Sequence, residues 1–229
     1  MRTIIITGLV FANVFWLYPG FDIWFSSLFY SADEGFIYKE SDLVEFVYNL
    51  VPFLTYFIAT FLIFSLLGNL LKIKTRILPK NLWLLPAKSS FFLLVVLIVG
   101  PGVLVHNGLK EFLERPRPKH IIEFGGTENY KLPFEYSPDA SGKSFVSGHA
   151  AMGFYFSSIG LLLTGRKRKV VYAGGVIAGV IVGFGRILQG KHFLSDVVFS
   201  GIFTLLVAHL VFHFMFLRKT GGKSIKHPE

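Results

Sequence analysis

Six apolar stretches, at residues 3–18, 43–71, 89–109, 145–163, 170–188 and 194–217, constrain the fold of this chain more than any other feature. A bilayer core is spanned by about 20 apolar residues in a helix. In lipid, only a helix or a closed barrel satisfies every backbone N–H and C=O. The expected fold is therefore all-α, a six-transmembrane-helix bundle. It forms one polytopic domain over residues 1–219, followed by a disordered cytoplasmic tail over 220–229. Hydrophobic residues make up 52% of the chain and charged ones only 16%, which leaves too little polar surface for a soluble domain of this size. Without cysteine there can be no disulfide and no thiolate metal site. The first stretch follows Arg2 as a signal peptide would, but no small-residue cleavage site comes after it, and it reads as a retained anchor.

The net charge of +9 points to a membrane surface rather than to nucleic acid because of where the charges fall. With the N-terminus inside, the inner face holds Arg2, Lys72, Lys74, Arg76, Lys80, Lys88, Arg166 to Lys169, Arg218, Lys219, Lys223 and Lys226, fourteen of the 23 Lys and Arg. Glu229 is the one acid on that side. The positive-inside rule then places both termini in the cytoplasm. The first outer loop, at 21–30, is rich in aromatics and reads as an interfacial helix.

Ionisable residues at the ends of membrane spans are functional suspects, and three clusters qualify. The first runs from Lys110 to Pro118 after span three, and the second is Ser144 to His149 at the start of span four. The third, Arg186 to Asp196, joins spans five and six. The chain crosses the membrane twice between the second and third, so all three lie on one face, the outer one by the charge map. His192 and Asp196 are four apart at a helix start and share a side of it. A carboxylate holding one imidazole nitrogen makes the other a better nucleophile. Ser147, Gly148 and His149 open a helix whose free N–H groups favour an anion, and Gly148 lets the backbone approach it closely. Lys110, Arg117 and Arg186 add positive charge suited to phosphate oxygens. Phosphoryl transfer needs such positioning and charge neutralisation, and this set supplies both without a metal.

At these residues the chain resembles the type 2 phosphatidic acid phosphatase superfamily, whose signature is Lys-x6-Arg-Pro, Pro-Ser-Gly-His and Ser-Arg-x5-His-x3-Asp. Here the parts are Lys110 with Arg117-Pro118, Ser147-Gly148-His149, and Arg186 with His192 and Asp196. The resemblance implies a six-span membrane lipid phosphatase. In it, His192 is the nucleophile that forms a phosphohistidine, Asp196 orients it, and His149 is the general acid. Lys110, Arg117, Ser147, Gly148 and Arg186 bind phosphate, with no metal and no cofactor. Val146 stands in place of the motif's proline and Gly185 in place of its serine. The segments 21–30 and 144–154 are further similar to the lipid A phosphatase branch of Gram-negative inner membranes, especially the 4′-phosphatases. The implied partners are membrane lipids and a lipid phosphate: lipid A, phosphatidylglycerophosphate, phosphatidic acid or undecaprenyl diphosphate. The implied site faces the periplasm.

Two rival functions use the same residues: a phosphotransferase that passes the phosphoryl group to a lipid acceptor, and a catalytically inactive binding or transport protein. Other residues have blander readings. Arg115 competes with Arg117, since each precedes a proline; spacing from Lys110 selects Arg117, and the extended backbone that proline imposes sends the two to different sides. His209 and His213, four apart but toward the inner end of span six, read as interfacial packing rather than a metal site. His106 is a candidate pocket residue, and His120 sits undecided in a loop. Gly174, Gly175, Gly179 and Gly183 in span five are expected to permit close helix packing.

Overall fold

The computed structural model describes residues 1–71, 85–138, 140 and 142–218. The basic residues from Lys72 to Lys80 and the tail at 220–229 lie outside the described residues.

The chain is mostly helical, as expected. Helix α1 (Arg2–Leu17) turns by 87° at Tyr18-Pro19 into α2 (Gly20–Ser27). A two-stranded hairpin comes next, β1 (Tyr30–Ser31) paired antiparallel with β2 (Gly35–Phe36). Helix α3 (Asp42–Leu70) is long, and α4 (Ala87–Leu97) continues as a π-type helix over Ile98–Leu109 into the short α5 (Lys110–Leu113). Single 3₁₀ turns, Pro118–His120 and Ile122–Phe124, lie in the loop that leads to α6 (Gly148–Tyr155) and α7 (Ser157–Leu161). Helices α8 (Gly165–Leu188) and α9 (Leu194–Phe212, extended by a π-type turn to Leu217) complete the chain.

Among the described residues, four helical segments are long and apolar enough to cross a membrane: Asp42–Leu70, Ala87–Val105, Gly165–Leu188 and Leu194–Leu217, or five if the bent pair α1 and α2 is one span. The stretch expected as span four holds α6 and α7, which meet at Phe156. At about 1.5 Å per residue the pair is shorter than a bilayer core. These two helices are the buried centre: Ala150, Ala151, Phe154 and Tyr155 are each at most 5% exposed. The outward faces carry the lipid-contacting surface expected of an integral membrane protein, such as Phe53, Tyr56, Phe57 and Phe64 on α3, each more than 60% exposed.

Close packing of α8 on α6 and α7 depends on missing side chains. A Cβ at Gly175 would lie 2.1 Å from the Ser157 nitrogen, and one at Gly179 would lie 2.3 Å from the Phe154 ring. Gly183 meets Val197 in the same way, whereas among the described residues nothing lies within 4 Å of where a Gly174 Cβ would sit.

Candidate active site

The chain enters the site at the end of α5. Glu114 is left-handed (φ 49°), which stops the helix and turns Arg115 inward. Pro116 and Pro118 keep the backbone around them extended, with Arg117 at φ −86°, ψ 156°. The two arginines part company here, as the sequence suggests. Arg115 is wholly buried, and Arg117 is half-buried on the way to the second cluster of cations.

Ser144 ties the three segments together. Its N–H donates to the Arg115 carbonyl at 2.9 Å and its hydroxyl to the Pro116 carbonyl at 2.9 Å. Its own carbonyl oxygen lies 2.8 Å from His192 Nδ1. A carbonyl can only accept, so Nδ1 carries the proton and neutral His192 keeps its lone pair on Nε2. The motif spacing assigns this nitrogen to Asp196. Its Oδ2 is 3.5 Å away, and the principal partner is the Ser144 carbonyl.

Asp196 is instead part of a second, buried network. Its Oδ2 accepts from the Phe193 N–H at 2.8 Å, a carboxylate in the first turn of α9 closing back on the residue before it. Its Oδ1 accepts from Arg115 Nη1 at 2.6 Å. Arg115 also donates to Asp22 Oδ2 on α2 (2.9 Å), to Ser195 Oγ (2.9 Å), to the Tyr130 hydroxyl (3.1 Å) and to the Lys131 carbonyl (2.8 Å). Tyr130 and Ser195 pass their own hydroxyl protons to Asp22. Burial alone would lower the Arg115 pKa, but Asp196 and Asp22 outweigh it and hold the guanidinium charged.

The second motif opens α6. Ser147, fully buried, caps the helix by accepting from Ala150 N–H at 3.4 Å. Its N–H donates to the Asp196 carbonyl (3.3 Å), and its carbonyl accepts from Ser200 Oγ (2.8 Å), so α6 and α9 start side by side. Among the described residues nothing lies within 4 Å of where a Gly148 Cβ would sit, so the backbone there faces open space. The His149 ring stacks on Tyr48 of α3 at 4.6 Å, and the Arg186 guanidinium lies over the same Tyr48 ring at 4.3 Å. Arg186 is 7% exposed and also donates to Gln189 Oε1. Arg117, Lys119 and Arg186 lie close enough to Lys191 to depress its ammonium.

The structure thus brings together His192, Asp196, Ser147, Gly148, His149, Arg117 and Arg186. Lys110 opens α5, but its side chain, like that of His106, lies outside the described residues. His120 sits 3.7 Å from Glu128 in the loop before α6. His209 Nδ1–H donates to Leu205 O of its own helix and meets Tyr172 edge-on. No group of three or more metal-ligating side chains occurs among the described residues.

Sequence reasoning missed Asp22, Tyr48, Lys119, Tyr130, Ser144, Gln189, Lys191 and Ser195. Asp22 alone carried a usable signal, being an acid inside a run of aromatics. Most of the others meet partners from distant segments, as Ser144 meets His192, whereas Gln189 meets Arg186 three residues away.

The model of the PAP2 superfamily matches residues 90–220. The chain belongs to the PAP2 superfamily. As a PAP2 protein it is a membrane-embedded phosphoric ester hydrolase. It is 36% identical over 222 residues to a lipid A 4′-phosphatase of Francisella tularensis subsp. novicida (strain U112), covering 94% of this chain and 97% of that one. It is 31% identical over 128 residues to phosphatidylglycerophosphatase B of Bacillus subtilis (strain 168), covering 52% and 55%. The crystal structure of a transmembrane PAP2-type phosphatidylglycerolphosphate phosphatase from Bacillus subtilis superposes with a TM-score of 0.60 at 20% identity, over 96% of this chain and 98% of that one.

Proposed function

We propose that this PAP2 enzyme hydrolyses a lipid phosphate monoester (or diphosphate) through a phosphohistidine on His192, at the outer face of a bacterial inner membrane. The observation that carries the reading is the 2.8 Å contact between His192 Nδ1 and the buried Ser144 carbonyl. It places the Nδ1 proton on that carbonyl and the lone pair of neutral His192 on Nε2, in a histidine only 3% exposed. In the first step Nε2 forms a bond to phosphorus while the P–O bond to the lipid breaks, and His149 gives its proton to the departing oxygen. In the second, water attacks the phosphohistidine, His149 takes its proton, and the P–N bond breaks to release phosphate. Arg117, Arg186, Lys110 and the N–H groups at Gly148 neutralise the equatorial oxygens. That charge suffices without a metal ion. Asp196 stabilises the His192 imidazolium from 3.5 Å rather than fixing its tautomer.

Lipid A is the favoured substrate, because the relative named for its 4′-phosphate aligns along nearly the whole of both chains. We read α2 as lying in the headgroup layer and the α6–α7 pair as filling the place of a sixth span, with both termini cytoplasmic.

The test is phosphate release by purified protein from lipid A, phosphatidylglycerophosphate, phosphatidic acid and undecaprenyl diphosphate, with and without EDTA. Release from lipid A that survives chelation is expected; release restored only by zinc would overturn the metal-free mechanism. His192→Ala should abolish turnover and the acid-labile phosphoenzyme together, and a phosphoenzyme persisting in that variant would refute the nucleophile. His149→Ala should lose about 10²–10⁴ in rate, and less with an aryl phosphate whose leaving group needs no proton. Equal losses on both substrates would remove the general-acid role.

A further inference from the structure

The four cations nearest the third motif carry more positive charge than one phosphate needs. Lys119 N–H donates to the Gly190 carbonyl at 3.1 Å, which lays the Pro118–His120 turn against the turn that holds Lys191. Gly190 is left-handed (φ 63°), and a Cβ there would lie 2.3 Å from the Phe36 ring, so the β1–β2 hairpin locks this turn in place. That backbone bond sets Lys119 beside Lys191, and Arg117 and Arg186 lie close enough to act on the Lys191 ammonium as well. Among the described residues, none of the four has a carboxylate within 4.0 Å. Elsewhere in the same loop Lys131 pairs with Glu135, and Lys143 with Glu111 and Glu114.

Such a cluster repels itself. Burial first, and then Lys119, Arg117 and Arg186, push the Lys191 ammonium down to about 8. Like charges held together without a counter-charge weaken the protein alone and become favourable when anions arrive. A monoester dianion offsets about two positive charges, and buried Arg186 with half-buried Arg117 supply them. Lys119 is exposed and Lys191 half-buried, so the surplus charge lies at the rim.

We infer that Lys119 and Lys191 form a second anion subsite beside the reacting phosphate, taking a further phosphate or carboxylate of the substrate headgroup or of an adjacent lipid. This rests on the lipid-phosphatase reading above, and the test separates the two.

Wild type and the double variant K119M/K191M are compared in neutral detergent on two headgroups: phosphatidic acid, with one phosphate, and lipid A, with two. The ratio of kcat/KM between them should fall roughly tenfold in the variant, the scale of about 1.4 kcal/mol for a charge-assisted contact. A neighbouring lipid as the source would appear instead as faster phosphatidic acid turnover on adding phosphatidylglycerol, in wild type and not in the variant. Losses that leave the ratio unchanged, with no phosphatidylglycerol effect, would overturn the subsite. Thermal stabilisation by inorganic pyrophosphate against inorganic phosphate gives a readout free of turnover. Pyrophosphate should stabilise the wild type more, and the excess should vanish in the variant. The same excess in both proteins would overturn the subsite even in an active enzyme. An excess confined to the wild type, in a protein that hydrolyses no lipid phosphate, would retain it and overturn the function.

Discussion

Arg115 and Arg117 stand two residues apart, each before a proline, and they end in opposite electrostatic surroundings. Arg115 is enclosed by Asp22 and Asp196, with Ser195, Tyr130 and the Lys131 carbonyl taking its remaining donors. Arg117 joins Arg186, Lys119 and Lys191, and among the described residues its Nε is buried with no hydrogen-bond partner. The first region is buried and fully hydrogen-bonded, with one guanidinium set between two carboxylates, and it ties together α2, α9 and the loop before α6. The second is charged and unsaturated, a state that costs stability and suits an anionic substrate. One short motif thus places one arginine among carboxylates and the other among cations.

The largest effect that would break this comparison is on stability. Arg115→Ala strands two buried carboxylates and should cost about 3–5 kcal/mol, read as a lowered Tm in detergent. A Tm within a degree of wild type would show that Arg115 is not structural. Arg117→Ala should do the reverse, leaving Tm near wild type while lowering kcat by about 10²–10³, the usual loss for one donor to a transition-state oxyanion. Comparable Tm losses in both variants would erase the distinction.

The smallest effect sharpens it. Lys191 is faced by Lys119, Arg117 and Arg186, and its folded pKa of about 8 lies below the ordinary lysine value of 10.5. Its charge therefore destabilises the fold fully below about pH 8, and that cost fades as pH rises toward 10.5. Lys191→Gln should raise Tm slightly at pH 7, and the difference from wild type should close above pH 10. An advantage independent of pH would show that the lysine is not under repulsion.

The membrane helices were legible because their signal is local: a run of apolar residues long enough to cross lipid declares itself without reference to the rest of the chain. The stretch at 145–163 carries a second cause of apolarity, because α6 and α7 are also central. Ala150, Ala151 and Phe154 are buried by α8 and α9. Burial by protein and burial by lipid select the same residue types. The residues proposed as nucleophile, acid and phosphate cations were named from spacing, since His192 and Asp196 lie on one helical turn and each motif is continuous in sequence. The orientation of His192 was not, because its partner is a backbone carbonyl 48 residues away, and every residue offers one.

By itself the sequence determined a helical membrane protein and three motifs on one face, through apolar length, loop charge and short spacings. Only the tertiary structure decided what surrounds each arginine, carboxylates at Arg115 and other cations at Arg117. Asp22 reaches Arg115 across 93 residues and Ser144 reaches His192 across 48, and such pairings depend on how helices pack rather than on any local pattern. A charge becomes structural or catalytic through the groups that surround it, and those groups assemble only on folding.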